Sequence, residues 1–360
     1  MRKMVLMLAI ALPALSLAND KEKAASWITS ASQLSNLEGH DRKPFRLHLQ
    51  WKSGYGSVVA SGTYQLLWTN ANEWKEELRS GDVVAVRASR GGHAWTLRGD
   101  DFLSYPAYQI ENMLDILWRL GLDDLGQAKD LFNQKIEGAE AHCAAFERKD
   151  SMVTRVCFAA NGTLLGMARP VSVNSMMDAE RTGYSNGRMT GPMLASYNTY
   201  NFNQYAPFGD MLFPRHMLAM SQNLPTLEAM VDDIQPMQPQ DPAATPPEGA
   251  VSTSVCPVDE QSIGRETRLS SIPSQFGAAL ARFIRYGGSA RIYVVVTTDG
   301  TIRNANLIMS DAQPTGQSAE FGNIAMQIVR TMKYKPYLCS GVPQAFGTEE
   351  ELILRGRSGP

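Results

Sequence analysis

The segment Phe45-Arg46-Leu47-His48-Leu49-Gln50-Trp51 alternates apolar and polar residues without a break. A side-chain period of two belongs to a β-strand, and it places Phe45, Leu47, Leu49 and Trp51 on one face with His48 on the other. The same patterning recurs. Thr63 to Thr69 sets Tyr64, Leu66 and Trp68 together, Asp82 to Ala88 contributes Val84 and Val86, and His93 to Arg98 contributes Trp95 and Leu97 beyond Arg90-Gly91-Gly92. Val153 to Ala159 and Thr163 to Arg169 flank Asn161-Gly162, whose residues tolerate the positive φ of a tight hairpin. Strands are also expected at Tyr197 to Asn203 and Met217 to Met220, with Phe213-Pro214-Arg215 just before the second, and the unit closes through Leu227 to Ile234. Helices are expected at Lys21 to Leu37 and from Pro106, where Ile110, Leu114, Leu117 and Trp118 share one stripe that stops at Gly121. The fold class read from these elements is α+β, dominated by antiparallel strands.

Gln235 to Pro257 carries six prolines among polar and small residues, a composition that extends instead of packing, so residues 236–255 are expected to be a linker. Val173 to Pro192, with Met176, Met177, Met189 and Met193 nearby, has no clean period and is expected to be a long loop. Beyond the linker the order is a helix over Pro273 to Tyr286, a strand over Arg291 to Thr298, the Asp299-Gly300 turn and a returning strand to Met309. A helix capped by Ser318 follows, then Lys335-Pro336 and a last strand over Glu349 to Leu354.

The amino-terminal residues carry the parts of a secretory signal: Arg2 and Lys3, an apolar run from Val5 to Leu17, and small residues at Ser16 and Ala18. That run is shorter than the about 20 residues of a bilayer-spanning helix, so cleavage after Ala18 and a periplasmic location are expected, with an uncleaved inner-membrane anchor as the alternative. Four cysteines, Cys143, Cys157, Cys256 and Cys339, are an even set without a C-x-x-C pair, which reads as disulfides. Cys143 and Cys157 would fall on neighbouring strands. The formal net charge of -2 offers no basic field for nucleic acid.

Residues 256–355 resemble the TonB carboxy-terminal domain family. The resemblance rests on Ile292-Tyr293-Val294-Val295-Val296-Thr297-Thr298-Asp299-Gly300, Tyr334-Lys335-Pro336, Gly341-Val342-Pro343 and Leu352-Ile353-Leu354. It implies a small α+β module that docks an outer-membrane or envelope protein. The chain lacks the retained membrane helix and Pro-Lys spacer of TonB proper, so force transmission is not implied. Residues 21–235 resemble the LolA-like periplasmic lipoprotein-carrier fold through the opening helix, the strands with Gly62-x-Tyr64 and tryptophans, the Asn161-Gly162 hairpin and Phe213-Pro214-Arg215. That likeness implies an antiparallel β cradle or half-barrel, closed by helices, around an apolar cavity. Within this layout Cys339 could reach Cys256.

Candidate ligand-binding residues are Phe45, Leu47, Leu49, Trp51, Tyr64, Leu66, Trp68 and Trp95, which either line a lipid-binding hollow or fill a sheet core. Glu349, Glu350, Glu351, Leu352, Ile353 and Leu354 are a candidate partner-binding strand, expected at a sheet edge where a peptide could add, or an edge blunted by its three carboxylates. The histidines His40, His48, His93, His142 and His216 are scattered and no metal site is expected. No nucleophile elbow or phosphate loop is present in the sequence, and neither catalysis nor a cofactor is expected. The function read from the sequence is a non-enzymatic periplasmic binding protein with a cradle for an apolar or lipid-like ligand and a partner-docking module. The alternative is a structural envelope adaptor acting through protein contacts.

Overall fold

The computed structural model describes residues 12–36, 43–55, 58–70, 72–91, 93–98, 103–118, 125, 127–147, 153–171, 174–175, 196–221, 223–237, 245–246, 248–253, 274–283, 287–312, 316–339 and 341–354. Thirteen strands form one antiparallel, open sheet. In chain order they are β1 (Phe45–Tyr55), β2 (Val58–Asn70), β3 (Glu73–Ser80), β4 (Val83–Arg90), β5 (His93–Leu97), β6 (Gln127–Ile136), β7 (Ala139–Glu147), β8 (Val153–Phe158), β9 (Leu164–Val171), β11 (Ser196–Phe208), β12 (Met211–Ser221), β13 (Leu224–Pro236) and β14 (Val251–Thr253). Their spatial order is β14-β5-β4-β3-β2-β1-β13-β12-β11-β9-β8-β7-β6. Nearly every step is a hairpin, and the long-range closure is β1 on β13, from Phe45 opposite Pro236 to Ser53 opposite Leu227.

Two helices cover one face of this sheet, called here the inner face: α1 (Leu12–Ser35) and α2 (Tyr105–Trp118). From α1, Ala24, Ile28 and Ala31 are buried, and from α2, Ala107, Ile110, Met113, Leu114, Ile116 and Leu117. They pack on Leu47, Leu66, Phe146, Phe158, Phe202, Phe213 and Ala229 in one continuous core. Burial of this apolar surface drives the assembly. α1 begins upstream of the expected helix and passes through Ala18; the charged start of the expected signal lies outside the described residues.

The carboxy-terminal unit contains a four-stranded sheet in the order β10-β19-β15-β16. Its strands are β10 (Asn174–Ser175), β15 (Gly288–Val296), β16 (Ile302–Ala312) and β19 (Phe346–Leu354). The short helix α3 (Gly277–Ala281) follows a 3-10 turn at Ser274–Phe276, and α4 (Ser318–Arg330) packs on the sheet; β17 (Tyr337–Cys339) and β18 (Val342–Gln344) form a separate small ribbon. The expected order of helix, hairpin, helix and strand is present. β15 is covered on both faces. Ala290, Ile292, Val294 and Val296 meet Phe321, Ala325, Ile328 and Val329 of α4, whereas Tyr293 and Val295 pack against Tyr105 of α2. Double burial explains why its sequence is a nearly continuous apolar run.

Three expectations change. The segment read as a linker also supplies a strand: Val251, Ser252 and Thr253 pair with Thr96, Trp95 and Ala94 and close the β5 edge of the large sheet. β19 is not an edge strand, because Asn174 and Ser175, from the segment expected to be loop, pair in parallel with Glu350 and Glu351 on the side away from β15. The two units are also not merely tethered, since Tyr105, Tyr293, Val295, Ile308 and Met309 share a buried cluster across their junction.

Candidate functional site

The inner face gathers seven of the eight candidate ligand-binding residues. β1 and β2 set them opposite one another in register: Phe45 with Trp68, Leu47 with Leu66, Leu49 with Tyr64, and Trp51 with Gly62. Phe45 and Trp68 stack with ring centroids 5.4 Å apart, and Phe208 meets Phe45 edge-on at 6.3 Å. Gly62 is dictated by its neighbours. A Cβ there would lie 1.8 Å from the Arg79 carbonyl oxygen and 2.6 Å from Trp51 Cζ2, so the indole rests on bare backbone. All seven side chains are buried, none more than 5% exposed, in one core shared with α1 and α2. Access to this face from solvent therefore requires that the covering helices part from the sheet.

Trp95 does not join them. In β5 the buried residue is Ala94, and Trp95, opposite Ala88 of β4, lies on the outer face with His93 6.2 Å away. Val86 and Leu97 share that outer face. Alternation grouped Trp95 with Leu97, but the expectation that Trp95 joins Phe45, Trp51, Tyr64 and Trp68 placed it on the wrong side of the sheet. The inward positions of β3 and β4 are instead Glu76 and Arg87, in line with buried Leu78 and Ala85.

These two residues form a polar knot at the flank of the apolar face. Tyr64 donates its hydroxyl hydrogen to Glu76 Oε1 at 3.0 Å, Arg87 donates from Nε and Nη2 to Glu76 Oε2 at 3.0 and 2.5 Å, and the same Nη2 reaches Glu111 of α2 at 2.5 Å. Burial above all, with the Glu76 carboxylate next, holds the Tyr64 hydroxyl far above its ordinary pKa. Burial also pushes Glu111 up to about 7, with Arg87 opposing and Glu76 adding to the shift. The knot ties α2 to the sheet by one shared guanidinium. The indole nitrogens of Trp51 and Trp68 on the sheet and of Trp118 on α2, and the Gln109 side-chain oxygen on α2, are buried without a hydrogen-bond partner among the described residues. Each such group carries a desolvation cost, which a polar atom inside the cradle would relieve.

The other candidate strand serves a different purpose. Glu349 and Glu350 are 2% and 0% exposed, so they blunt no solvent edge. Glu349 accepts from Nε of Arg291, which is itself 0% exposed, while Arg291 Nη1 donates to Ser221 Oγ of β12 at 3.0 Å. Burial works against the Arg291 charge, and Glu349 with Tyr105 more than offsets it, leaving the pKa raised. Glu350 accepts from the Tyr334 hydroxyl at 2.9 Å on the α4 side. Tyr108 stacks on Tyr293 at 5.1 Å and Tyr105 tilts against it at 5.4 Å. Leu352 and Leu354 are buried with α4, and Ile353 is 36% exposed. No short sequence signal marks the ion pair, whose members stand 58 positions apart.

Cys143 and Cys157, directly opposed on β7 and β8, form a disulfide. Cys339 is also disulfide-bonded, and its partner, expected to be Cys256, lies outside the described residues. Among the described residues no group of histidine, cysteine and carboxylate side chains could hold a metal, and no helix is long and apolar enough to cross a membrane.

No protein-family model matches the chain, and no curated protein matches it. Among solved structures it is similar to a LolA superfamily protein from Nitrosomonas europaea, at 9% identity and a TM-score of 0.38, over 59% of this chain and 93% of that one. A putative outer membrane lipoprotein-sorting protein domain from Vibrio parahaemolyticus is similar at 12% identity and 0.33, over 59% and 92%. MucB is similar at 9% identity and 0.31, over 87% of this chain and 98% of its own.

Proposed function

We propose that the protein is an exported, non-enzymatic binding protein of the periplasm, whose β cradle takes an apolar or lipid-like ligand against its inner face and whose carboxy-terminal unit docks an envelope protein. The observation that carries the ligand reading is an aromatic face covered by helices instead of by a second sheet. Phe45, Trp51, Tyr64 and Trp68 share one buried core with α1 and α2, and α2 is tied at the sheet flank by the Glu76–Arg87–Glu111 knot. An acyl chain entering between α2 and the sheet would exchange one apolar contact for another, and the partnerless indole N–H groups would meet an ester or amide oxygen. The docking reading is supported by the order of elements from Ser274 to Leu354, which agrees with the TonB-like module. It no longer invokes strand addition beside Glu350 and Glu351, where β10 already pairs.

The test is mass spectrometry of lipid extracted from the full chain purified out of its native compartment. Stoichiometric lipid, lost in Trp51→Ala and Trp68→Ala, is the expected result. A lipid-free protein, or retention unchanged in both variants, would sink the carrier reading. The second reading, an adaptor that works through protein contacts alone, is favoured by the near-complete burial of the same side chains. It predicts no lipid and an envelope partner captured by the full chain.

A further inference from the structure

The helix α2 belongs to two cores at once. Ala107, Ile110, Met113, Leu114 and Leu117 are buried with the aromatic face of the large sheet, whereas Tyr105 and Tyr108 pack with Tyr293, Val295, Ile308 and Met309 of the carboxy-terminal unit. Of the two covering helices it is the one that approaches β1 and β13 most closely, while α1 lies along β6 and β12. Tyr108 stacks on Tyr293 with ring centroids 5.1 Å apart. Glu111, one turn further on the same side of the helix, accepts from Arg87 of β4 at 2.5 Å. The stretch from Ala107 to Trp118 contains neither glycine nor proline, the usual sites of a kink, so these contacts are carried by one straight rod about 18 Å long.

The junction at the start of that rod is closely packed. Tyr293 is 0% and Met309 3% exposed, and the hydroxyl of Ser221 on β12, which accepts from Arg291, lies 3.9 Å from the Met309 sulfur. A packed cluster of this kind changes between discrete arrangements and does not deform smoothly. Ile110, on the cradle side, stands two residues from Tyr108, on the junction side. A rigid helix therefore cannot leave the aromatic face at Ile110 and Leu114 without turning or lifting Tyr108 against Tyr293.

We propose that α2 transmits occupancy of the cradle to the carboxy-terminal unit: an apolar ligand that parts α2 from the inner face unseats Tyr105 and Tyr108 from Tyr293 and loosens the hold of the large sheet on that unit. Coupling between two sites is reciprocal, so a partner that pulls the carboxy-terminal unit away from α2 eases ligand entry. This coupling rests on the ligand reading above and adds a consequence at the other end of the helix.

Hydroxyl-radical footprinting of the full chain, with and without a saturating dansyl-labelled fatty acid, reads the junction directly. Oxidation of Tyr105, Tyr293 and Met309 should rise from its buried baseline on loading, while Tyr334, buried in the carboxy-terminal core on the α4 side, stays unchanged. Tyr108→Ala, a change at a half-buried side chain, should take up the same probe about threefold to tenfold faster in stopped-flow fluorescence, because one aromatic pair no longer opposes opening. Uptake that leaves Tyr105, Tyr293 and Met309 as unreactive as before, or loading of Tyr108→Ala at the parental rate, would overturn the proposal and leave the ligand reading standing. Failure of the parent to take up the probe at all would overturn both.

Discussion

Replacing Glu349 by leucine removes the counter-charge from a guanidinium that has no access to solvent. Arg291 would keep the Ser221 hydroxyl, 3.0 Å from Nη1, and lose both of its contacts with Glu349. Removing one member of a buried pair costs about 3–5 kcal/mol, because the remaining charge stays desolvated and unpaired. Replacing both members by apolar residues of similar volume removes that penalty, so Arg291→Met with Glu349→Leu should fall within about 1–2 kcal/mol of the parent. The double-mutant cycle therefore predicts a coupling of about 2 kcal/mol or more. Urea unfolding followed by tryptophan fluorescence and circular dichroism measures all four corners. Because the pair lies where β15 meets β12, and Tyr105, Tyr293 and Met309 are buried with it, the parent should unfold in one transition by both probes. A loss below about 1 kcal/mol in Glu349→Leu, or single changes that simply add, would refute the claim that the pair is buried and mutually compensating.

Gly62→Ala should destabilise the protein by about 1–3 kcal/mol, because the new methyl overlaps the Arg79 carbonyl and the Trp51 indole; thermal unfolding of the variant measures it. Glu111 binds its proton more tightly in the folded protein than in the unfolded chain, so the stability it contributes is fully present below its ordinary pKa and is lost as pH rises towards about 7. Urea midpoints of the parent should accordingly fall relative to Glu111→Gln across that window, and parallel profiles would refute the assignment. Non-reducing peptide mapping should recover Cys143 joined to Cys157 and Cys339 joined to Cys256; Cys339 found with any other cysteine would break the expected layout.

Where burial is one-sided and local, the sequence was informative. The alternation from Phe45 to Trp51 placed a strand and its buried face, because a period of two has one structural meaning, and Asn161-Gly162 marked the hairpin between β8 and β9. Which side of the sheet becomes the core is a tertiary fact. Trp95 illustrates it: its strand was legible and its face was not, since Arg87 and Glu76 point inward and find partners in one another and in Glu111. The acidic run Glu349-Glu350-Glu351 looked solvated for the same reason. Arg291 and Tyr334, which hold the first two carboxylates, are brought to them by the sheet and by the segment after α4. A proline-rich composition also hid β14, because three residues can complete a sheet edge without any periodic signal. β6 was missed as well, its Gln127 to Ile136 sequence alternating too poorly to be read as a strand.

The central claim is that an apolar ligand lies between α2 and the inner face of the large sheet. Photocrosslinking of the full chain with a diazirine-bearing fatty acid, followed by peptide mass spectrometry, tests it most directly. The account predicts labelled peptides from residues 45–51, 64–68 and 105–118, competed away by unlabelled fatty acid. Labelling confined to the outer face or to the carboxy-terminal unit, or no saturable labelling at all, would contradict it.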